Sequence, residues 1–362
     1  MRDYALIAMV TGAFYLWPHF KGLLIFKKAQ PGVAWLLSAI LTALLLLGTA
    51  LFQSVVVGFF LYLCMFYVIT DLVFLALHLF ARGKEHTVWR RVYCGGVLPI
   101  AAALLICVFG ILNAKNIVVT EYEVTLNKPL PSAVRVALVS DMHLGTSVHE
   151  EDLPGIVNQV NALSPNLILL GGDIYEERTT QDALAASYTA FSGLHAPLGV
   201  YYVPGNHEYR AQRDGTLDLV SMFENLEAAG ITPLKDEAVD LTGLYLVGRD
   251  DFDSFTRAKL ATLLEDVDQT LPVVVLDHQP MELREAKDAG VDLQLSGHTH
   301  AGQLFPGGLL TELFGIFEYS YGYHRDGNFQ IIVSSGIGAW GFPMRVGSPT
   351  EIVLITLKGK LP

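Results

Sequence analysis

The chain has 362 residues, 52% of them hydrophobic, and a formal net charge of −12 at pH 7. The charge is unevenly divided, with nine Lys/Arg against three Asp/Glu in residues 1–120 and 15 against 33 in residues 121–362. The acidic second part excludes a broad basic surface for nucleic acid. The three cysteines, Cys64, Cys94 and Cys107, all fall in the first part, which excludes a disulfide framework and a cysteine nucleophile in the second.

In chain order, the first apolar segment, Tyr4 to Phe20, is short and ends near Pro18 and His19, so it reads as a short span or an interfacial helix. Val33 to Phe52, Val55 to Phe80 and Val92 to Asn113 are each long enough to cross a bilayer at about 1.5 Å per residue. Lys21, Lys27 and Lys28 lie in one loop, and Arg82, Lys84, Arg90 and Arg91 face only Glu85 in another. Both loops are therefore expected in the cytoplasm, with the two-residue turn Gln53-Ser54 on the opposite side. That parity delivers the chain after about residue 115 to the outside. The expected location is a bacterial cytoplasmic membrane with the second domain extracytoplasmic. Asp71, the one charged residue of its span, reads either as a transport or substrate-path residue or as a helix-packing or interfacial one. The apolar regime ends near Lys115, giving a membrane region, 1–115, and a second domain, 116–362.

After the membrane region, β-rich runs alternate with helix-compatible stretches. Val134–Ser140, Leu167–Leu170, Val200–Val203, Leu244–Val247, Val273–Leu276, Leu293–Leu295 and Ile331–Val333 are predicted strands. Leu153–Ala162, Gln181–Ser192, Leu217–Ala229 and Ala258–Val267 are predicted helices. The alternation implies a layered α/β core.

Polar residues recur at the strand ends. Ser140-Asp141-Met142-His143 follows the first of these strands, Gly171-Gly172-Asp173 the second, and Gly205-Asn206-His207-Glu208 the third. Loops of this kind can converge over a rigid base. Asp141 and His143 are two positions apart, as are His298 and His300. An extended backbone would place both members of each pair on one side, presenting two ligands to a metal centre. Imidazole nitrogens and carboxylate oxygens suit Mn, Fe or Zn, and a shared carboxylate can hold two ions roughly 3.5–4 Å apart. Asp173 is the natural bridge.

The series Asp141-Met142-His143, Gly172-Asp173, Gly205-Asn206-His207-Glu208, His278 and Gly297-His298-Thr299-His300 resembles the calcineurin-like metallophosphoesterase family, over essentially Lys115 to the C-terminus. Gly302-Gln303 and Ser334-Ser335-Gly336-Ile337-Gly338 look like its membrane-associated, cell-envelope branch. The resemblance implies an α/β fold in which a central β-sandwich is flanked by helices, here preceded by an all-α multi-span membrane region. It also implies that Asp141, His143 and His300 bind a first metal, that Asp173 bridges, and that Asn206, His278 and His298 complete a second. His207 would be a catalytic histidine that is not a ligand. The pattern departs at Asp277-His278-Gln279-Pro280, where family members commonly place His directly before Pro. His278 still follows an apolar strand and is retained.

The two divalent or transition-metal ions, Mn, Zn or Fe, would supply a bridging hydroxide for attack on phosphorus, so the expected reaction is hydrolysis of a phosphoester or phosphodiester. His207 would hydrogen-bond a phosphate oxygen or protonate the leaving oxygen. Membrane anchoring favours an envelope- or lipid-associated substrate and membrane lipids as partners. Phe305, Trp340, Phe342 and Pro343 read either as an apolar rim for it or as core. A nucleotide-sugar-lipid pyrophosphatase is the alternative reading, and a non-enzymatic membrane binding or transport protein a second. Arg249-Asp250-Asp251 reads as a cluster that backs the metal ligands or orients substrate, or as solvated loop charge, and His149, His195 and His324 as surface or packing residues.

Overall fold

The computed structural model describes residues 2–21, 23, 29–52, 55–80 and 96–360. The chain divides into two compact units, Met1–Leu112 and Asn113–Pro362. The first contains helices α1 (Arg2–Lys21), α2 (Pro31–Phe52), α3 (Val55–Phe80) and most of α4 (Val97–Ala114). Among the described residues, three stretches are long and apolar enough to cross a membrane: Pro31–Thr49, Val55–Phe80 and Val97–Ala114. They mark an integral membrane protein, because helices satisfy their own backbone groups in hydrocarbon. Many of their large apolar side chains, Leu36, Leu44, Leu72 and Leu105 among them, point away from the protein.

The predicted first segment forms a continuous helix through Pro18, and it gives Asp71 its partners. The Tyr15 hydroxyl donates to Asp71 Oδ2, and His19 Nε2 lies 3.3 Å from the same oxygen. The cost of an isolated acid in an apolar span is thereby relieved. Of the loop residues that set the expected orientation, Lys27, Lys28, Arg82, Lys84, Glu85, Arg90 and Arg91 lie outside the described residues, as do Gln53, Ser54 and Cys94.

In the second unit, twelve strands form two six-stranded sheets. One has the order β1 (Ile117–Leu126), β12 (Thr350–Gly359), β2 (Val134–Val139), β3 (Leu167–Gly171), β4 (Val200–Val203), β5 (Thr232–Pro233). The other runs β10 (Gly322–Asp326), β11 (Phe329–Val333), β9 (Leu293–Ser296), β8 (Val273–Leu276), β7 (Tyr245–Gly248), β6 (Glu237–Asp240).

The two-residue period of a strand explains the layering. Val136 and Leu138, Leu167 and Leu169, and Val353 and Ile355 join Leu246, Leu276, Leu295 and Ile332 in the core between the sheets. The intervening Ala137, Val139, Ile168 and Leu170 face outward, under α5 (Leu153–Ala162), α6 (Gln181–Phe191), α7 (Asn206–Arg213) and α8 (Leu219–Ala228). On the other side, Val247, Val273, Val275, Ile331 and Val333 pack under α9 (Leu260–Leu263) and α10 (Leu283–Asp288). The β-sandwich flanked by helices is thus present. Two expectations change. The helix expected over Ala258–Val267 shrinks to the single turn of α9. The long strands β1 and β12 were not anticipated, although they pair in parallel over ten residues and join β2 through antiparallel bonding.

Candidate metal centre

Strands β2, β3 and β4 run parallel in one sheet, and β7, β8, β9 and β11 in the other. Their following loops leave at the carboxyl edges, where crevices form in α/β sheets. Backbone bonds interlock these loops. Asp141 N–H donates to Gly172 O at 2.9 Å, His143 N–H to Asp173 O at 3.0 Å, and Gly297 N–H to His278 O at 2.9 Å. Across the two sheets, Ile337 N–H donates to Ser140 O at 2.9 Å and Gly338 N–H to Asp141 O at 2.8 Å.

Glu208, at the first turn of α7, ties two loops together. Its carboxylate accepts from the backbone N–H groups of Asp173 at 3.0 Å, Ile174 at 2.8 Å, Tyr175 at 3.0 Å and Gly205 at 2.8 Å. The approach is so close that a Cβ on Gly205 would collide with Asp173 Oδ1, and one on Gly297 with Asp141 Oδ2.

All eight predicted site residues come together at this edge, but not in the way that spacing suggested. The backbone at Asp141 (φ 54°), His143 (φ 48°), His298 (φ 71°) and His300 (φ 51°) is left-handed rather than extended. Asp141 and His143 still meet, because tight turns project both inward. His298 and His300 part company: His300 joins Asp141 and His143, whereas His298 joins Asp173 and His278.

In the first group, His143 Nε2 and His300 Nε2 are 3.1 Å apart, and Asp141 Oδ1 is 3.5 Å from His300 Nε2. In the second, His278 Nε2 is 3.1 Å from Asp173 Oδ2, and the His278 and His298 ring centroids are 5.3 Å apart. Asp173 Oδ2 is also 4.0 Å from His143 Nε2, so this carboxylate lies between the groups. The Asn206 amide ends 2.7 Å from His298 Nδ1. Turned one way, its nitrogen donates to the ring. Turned the other way, its oxygen and the ring nitrogen present lone pairs to one point, as a shared cation requires.

The surrounding groups prepare these nitrogens for a metal. His143 Nδ1 faces Glu176 Oε2 at 3.1 Å, and His278 Nδ1 faces the Gly171 carbonyl at 2.8 Å. Both partners accept, so each Nδ1 donates and each Nε2 is turned into the cluster. His278 Nε2 is fully buried and has no hydrogen-bond partner. Burial disfavours a charged His278, yet Asp173 beside it raises its pKa well above the usual value. Asp173 in turn is held well below the carboxylate range, against its own burial, by His278 and the neighbouring histidines. The carboxylates thus draw positive charge to this point, and a cation serves there as well as a proton. Burial and His278 push His298 down to about 3, and burial, His143 and Arg345 keep His300 well below its usual range. Both are neutral, the form in which imidazole binds metal. The buried nitrogen and oxygen donors, in two groups with Asp173 lying between them, fit a dinuclear divalent-metal site.

His207 lies beside both groups and within ligating distance of His143 and Asp173. Its Nδ1 meets Glu177 Oε2 at 2.8 Å, and its backbone N–H donates to Asp173 Oδ1 at 2.8 Å. Burial opposes the charged imidazole, but Glu177 and Asp173 outweigh it and raise its pKa.

Sequence reasoning missed Glu176, Glu177 and Arg345. The two acids directly after the Gly-Gly-Asp loop were the available signal for the first pair. Arg345 carried none. Fully buried, it donates to the carbonyls of Ser335, Gly336, Gly338 and His300 and to Ser348 Oγ.

Arg249 is neither solvated nor turned to the centre. It is buried, with Nη1 2.9 Å from Glu285 and Nη2 donating to Ala258 O at 3.0 Å. Asp250 accepts from the Tyr209 hydroxyl, and Asp251 accepts from Gln279 at 3.0 Å. His149, His195 and His324 stand outside the metal-competent groups. Phe305 and Trp340 are exposed, and Phe342 and Pro343 half-buried, so none of the four is core.

Residues 134–302 match the family model of the calcineurin-like phosphoesterases. A metallophosphoesterase of Aquifex aeolicus is 34% identical over 269 residues, covering 71% of this chain and 98% of that protein. One from Helicobacter pylori J99 is 34% identical over 247 residues, covering 67% of this chain and 64% of that protein, so the chain spans less than two thirds of that relative's length. A transmembrane protein with a metallophosphoesterase domain from Danio rerio is 30% identical over 298 residues, covering 77% and 66%. Family match, full-length coverage of the Aquifex protein and the interlocked Asp/His/Asn loops agree: the chain belongs to the calcineurin-like metallophosphoesterase family.

Proposed function

We propose that the second unit is the catalytic domain of a membrane-anchored hydrolase that cleaves a phosphoester or phosphodiester using two metal ions. The observation that carries this reading is Asp173, a buried carboxylate lying between two groups of candidate ligands. In this reading Asp141, His143 and His300 would hold one ion, Asn206, His278 and His298 would hold the other, and Asp173 would serve both. When bound, the ions supply Lewis-acid polarisation of the phosphoryl group and lower the pKa of an attacking water. Glu176 orients His143, and the Gly171 carbonyl orients His278. His207, held by Glu177 and favoured in its protonated form, donates a proton to the leaving oxygen. Mn, Zn and Fe all suit the nitrogen and oxygen donor set.

The membrane spans and the exposed Phe305 and Trp340 support an envelope- or lipid-associated substrate, as in the cell-envelope branch. The loop charges support an extracytoplasmic domain in a bacterial membrane. Hydrolysis by the full-length protein, reconstituted with each metal in turn, is measured across soluble monoesters, diesters and diphosphate lipids by phosphate release and product mass. Cleavage of one linkage class is expected. No turnover with any of the three metals overturns the reading. Protease accessibility in sealed cells tests the orientation, and protection of the second unit there refutes it.

A further inference from the structure

Between the metal-centre residue His300 and Ser320, the chain leaves the sandwich as a projecting segment. Its helix α11 (Gly307–Leu313) has no buried residue. A helix that gives nothing to a core has no folding reason to be apolar, yet residues 305–317 carry a single charge, Glu312, which accepts from Ser320 Oγ at 3.1 Å. Phe305, Leu309, Leu310, Leu313, Phe314 and Ile316 are all exposed, Leu313 and Phe314 by 73% and 72%. Leu309 and Leu313, and Leu310 and Phe314, lie four residues apart and so share one stripe. A contiguous apolar patch of this kind on a folded domain marks an interaction surface.

Two observations within this unit identify its occupant. The third membrane-crossing stretch ends at Ala114, and Asn113 Nδ2 donates to the carbonyls of Arg345 at 3.2 Å and Ser348 at 3.0 Å. In the same loop, Val346 N–H donates to Gln303 O at 2.8 Å, and Phe305 N–H donates to Val346 O at 2.7 Å. The point where the chain leaves the bilayer and the root of the apolar segment are therefore fastened to one loop. The segment also runs up to the metal centre, since Phe317, directly after it, lies 5.8 Å from His298 between ring centroids.

We infer that the 305–316 segment is a membrane-inserting ridge, whose Leu309, Leu310, Leu313 and Phe314 enter the lipid surface next to the chain's exit point and hold the mouth of the metal centre at the headgroups. The lipid contact stands independently of the proposed hydrolase activity. Its consequence, that phosphoesters presented in a bilayer are preferred, rests on that activity.

The test uses the full chain with its three cysteines replaced by serine and Leu313→Cys carrying an environment-sensitive fluorophore. It is reconstituted at one copy per nanodisc of phosphatidylethanolamine and phosphatidylglycerol. The expected result is blue-shifted emission, most of it quenched when the acyl chains carry bromine. Solvent-like emission without quenching overturns the inference. A blue shift that develops only with two copies per disc also overturns it, in favour of self-association.

The second arm is the triple variant Leu310→Glu, Leu313→Glu, Phe314→Glu, with metal content as the folding check. Hydrolysis of a bilayer-presented phosphodiester is expected to fall on the order of tenfold while that of a soluble diester is unchanged. Equal loss on both substrates contradicts the preference. Absence of all turnover sinks the hydrolase reading and leaves the fluorescence result to decide the lipid contact.

Discussion

Glu208→Gln is the most informative single substitution in this domain, because it preserves shape and removes charge at the junction of two metal-site loops. The native carboxylate accepts four backbone N–H bonds, two at each oxygen. Glutamine must turn an NH2 group toward one of those pairs, either toward Ile174 and Tyr175 or toward Asp173 and Gly205. Two charge-assisted bonds are lost, and two buried donors face another donor. At about 1.5–3 kcal/mol for each bond to a charged group, the expected cost is about 3–6 kcal/mol. For a unit of this size, each kcal/mol corresponds to about 2–4 °C in Tm, so the variant should melt about 6–24 °C lower.

Thermal unfolding of the full-length protein, followed by near-ultraviolet circular dichroism with and without added metal, measures the loss. Ions bound only by the folded state should recover part of the shift, since binding adds to its stability. A Glu208→Gln protein that melts within a degree or two of wild type, with its metal content intact, would refute the view that this carboxylate holds the Asp173 and Gly205 loops in register.

Asp173→Asn should leave fewer ions bound than either group could hold alone, as read by elemental analysis of the purified protein, because the substitution weakens both groups at once. His207→Ala should retain the metals and lose about 10²–10⁴ in kcat, the usual range for a positioned acid; loss of metal instead would make His207 a ligand. Arg345→Met leaves the carbonyls of Ser335 and Gly338 without their donor, and a metal-chelator titration should show about 10–100-fold weaker binding at the group containing His300.

What was legible in the sequence depended on whether the signal was local. Val200–Val203 and Val273–Leu276 are short apolar runs bounded by turn residues, and both strands appear with the expected limits. Asp141, Asp173, Asn206 and the histidines announce themselves through short motifs at strand ends, and the fold gathers all of them. Strands β1 and β12 were missed because their identity lies in pairing residues more than 230 positions apart, as Ile117 with Thr350, and not in either segment alone. The sequence left Arg249 open between a role at the site and solvated loop charge for a similar reason. Its partner Glu285 lies 36 positions away, and only the packing of α10 brings the two together.

The backbone conformation of the ligands was illegible for a deeper reason. Asp141, His143, Asp173, His298 and His300 all adopt left-handed φ values, which cost a non-glycine residue roughly 1–3 kcal/mol each. Nothing in their own side chains favours that state for histidine over the extended one. It persists because each loop is fixed by another: Asp141 by the amide of His298, Asp173 by Glu208 and the amide of His207, and Ser140 by the amide of Ile337. A spacing of two residues therefore singled out side chains that the fold does gather, for an incorrect geometric reason. Strand alternation would have delivered His298 and His300 to the same point. The strained turn separates them, and that separation allows one short Gly-His-Thr-His segment to serve both groups flanking Asp173.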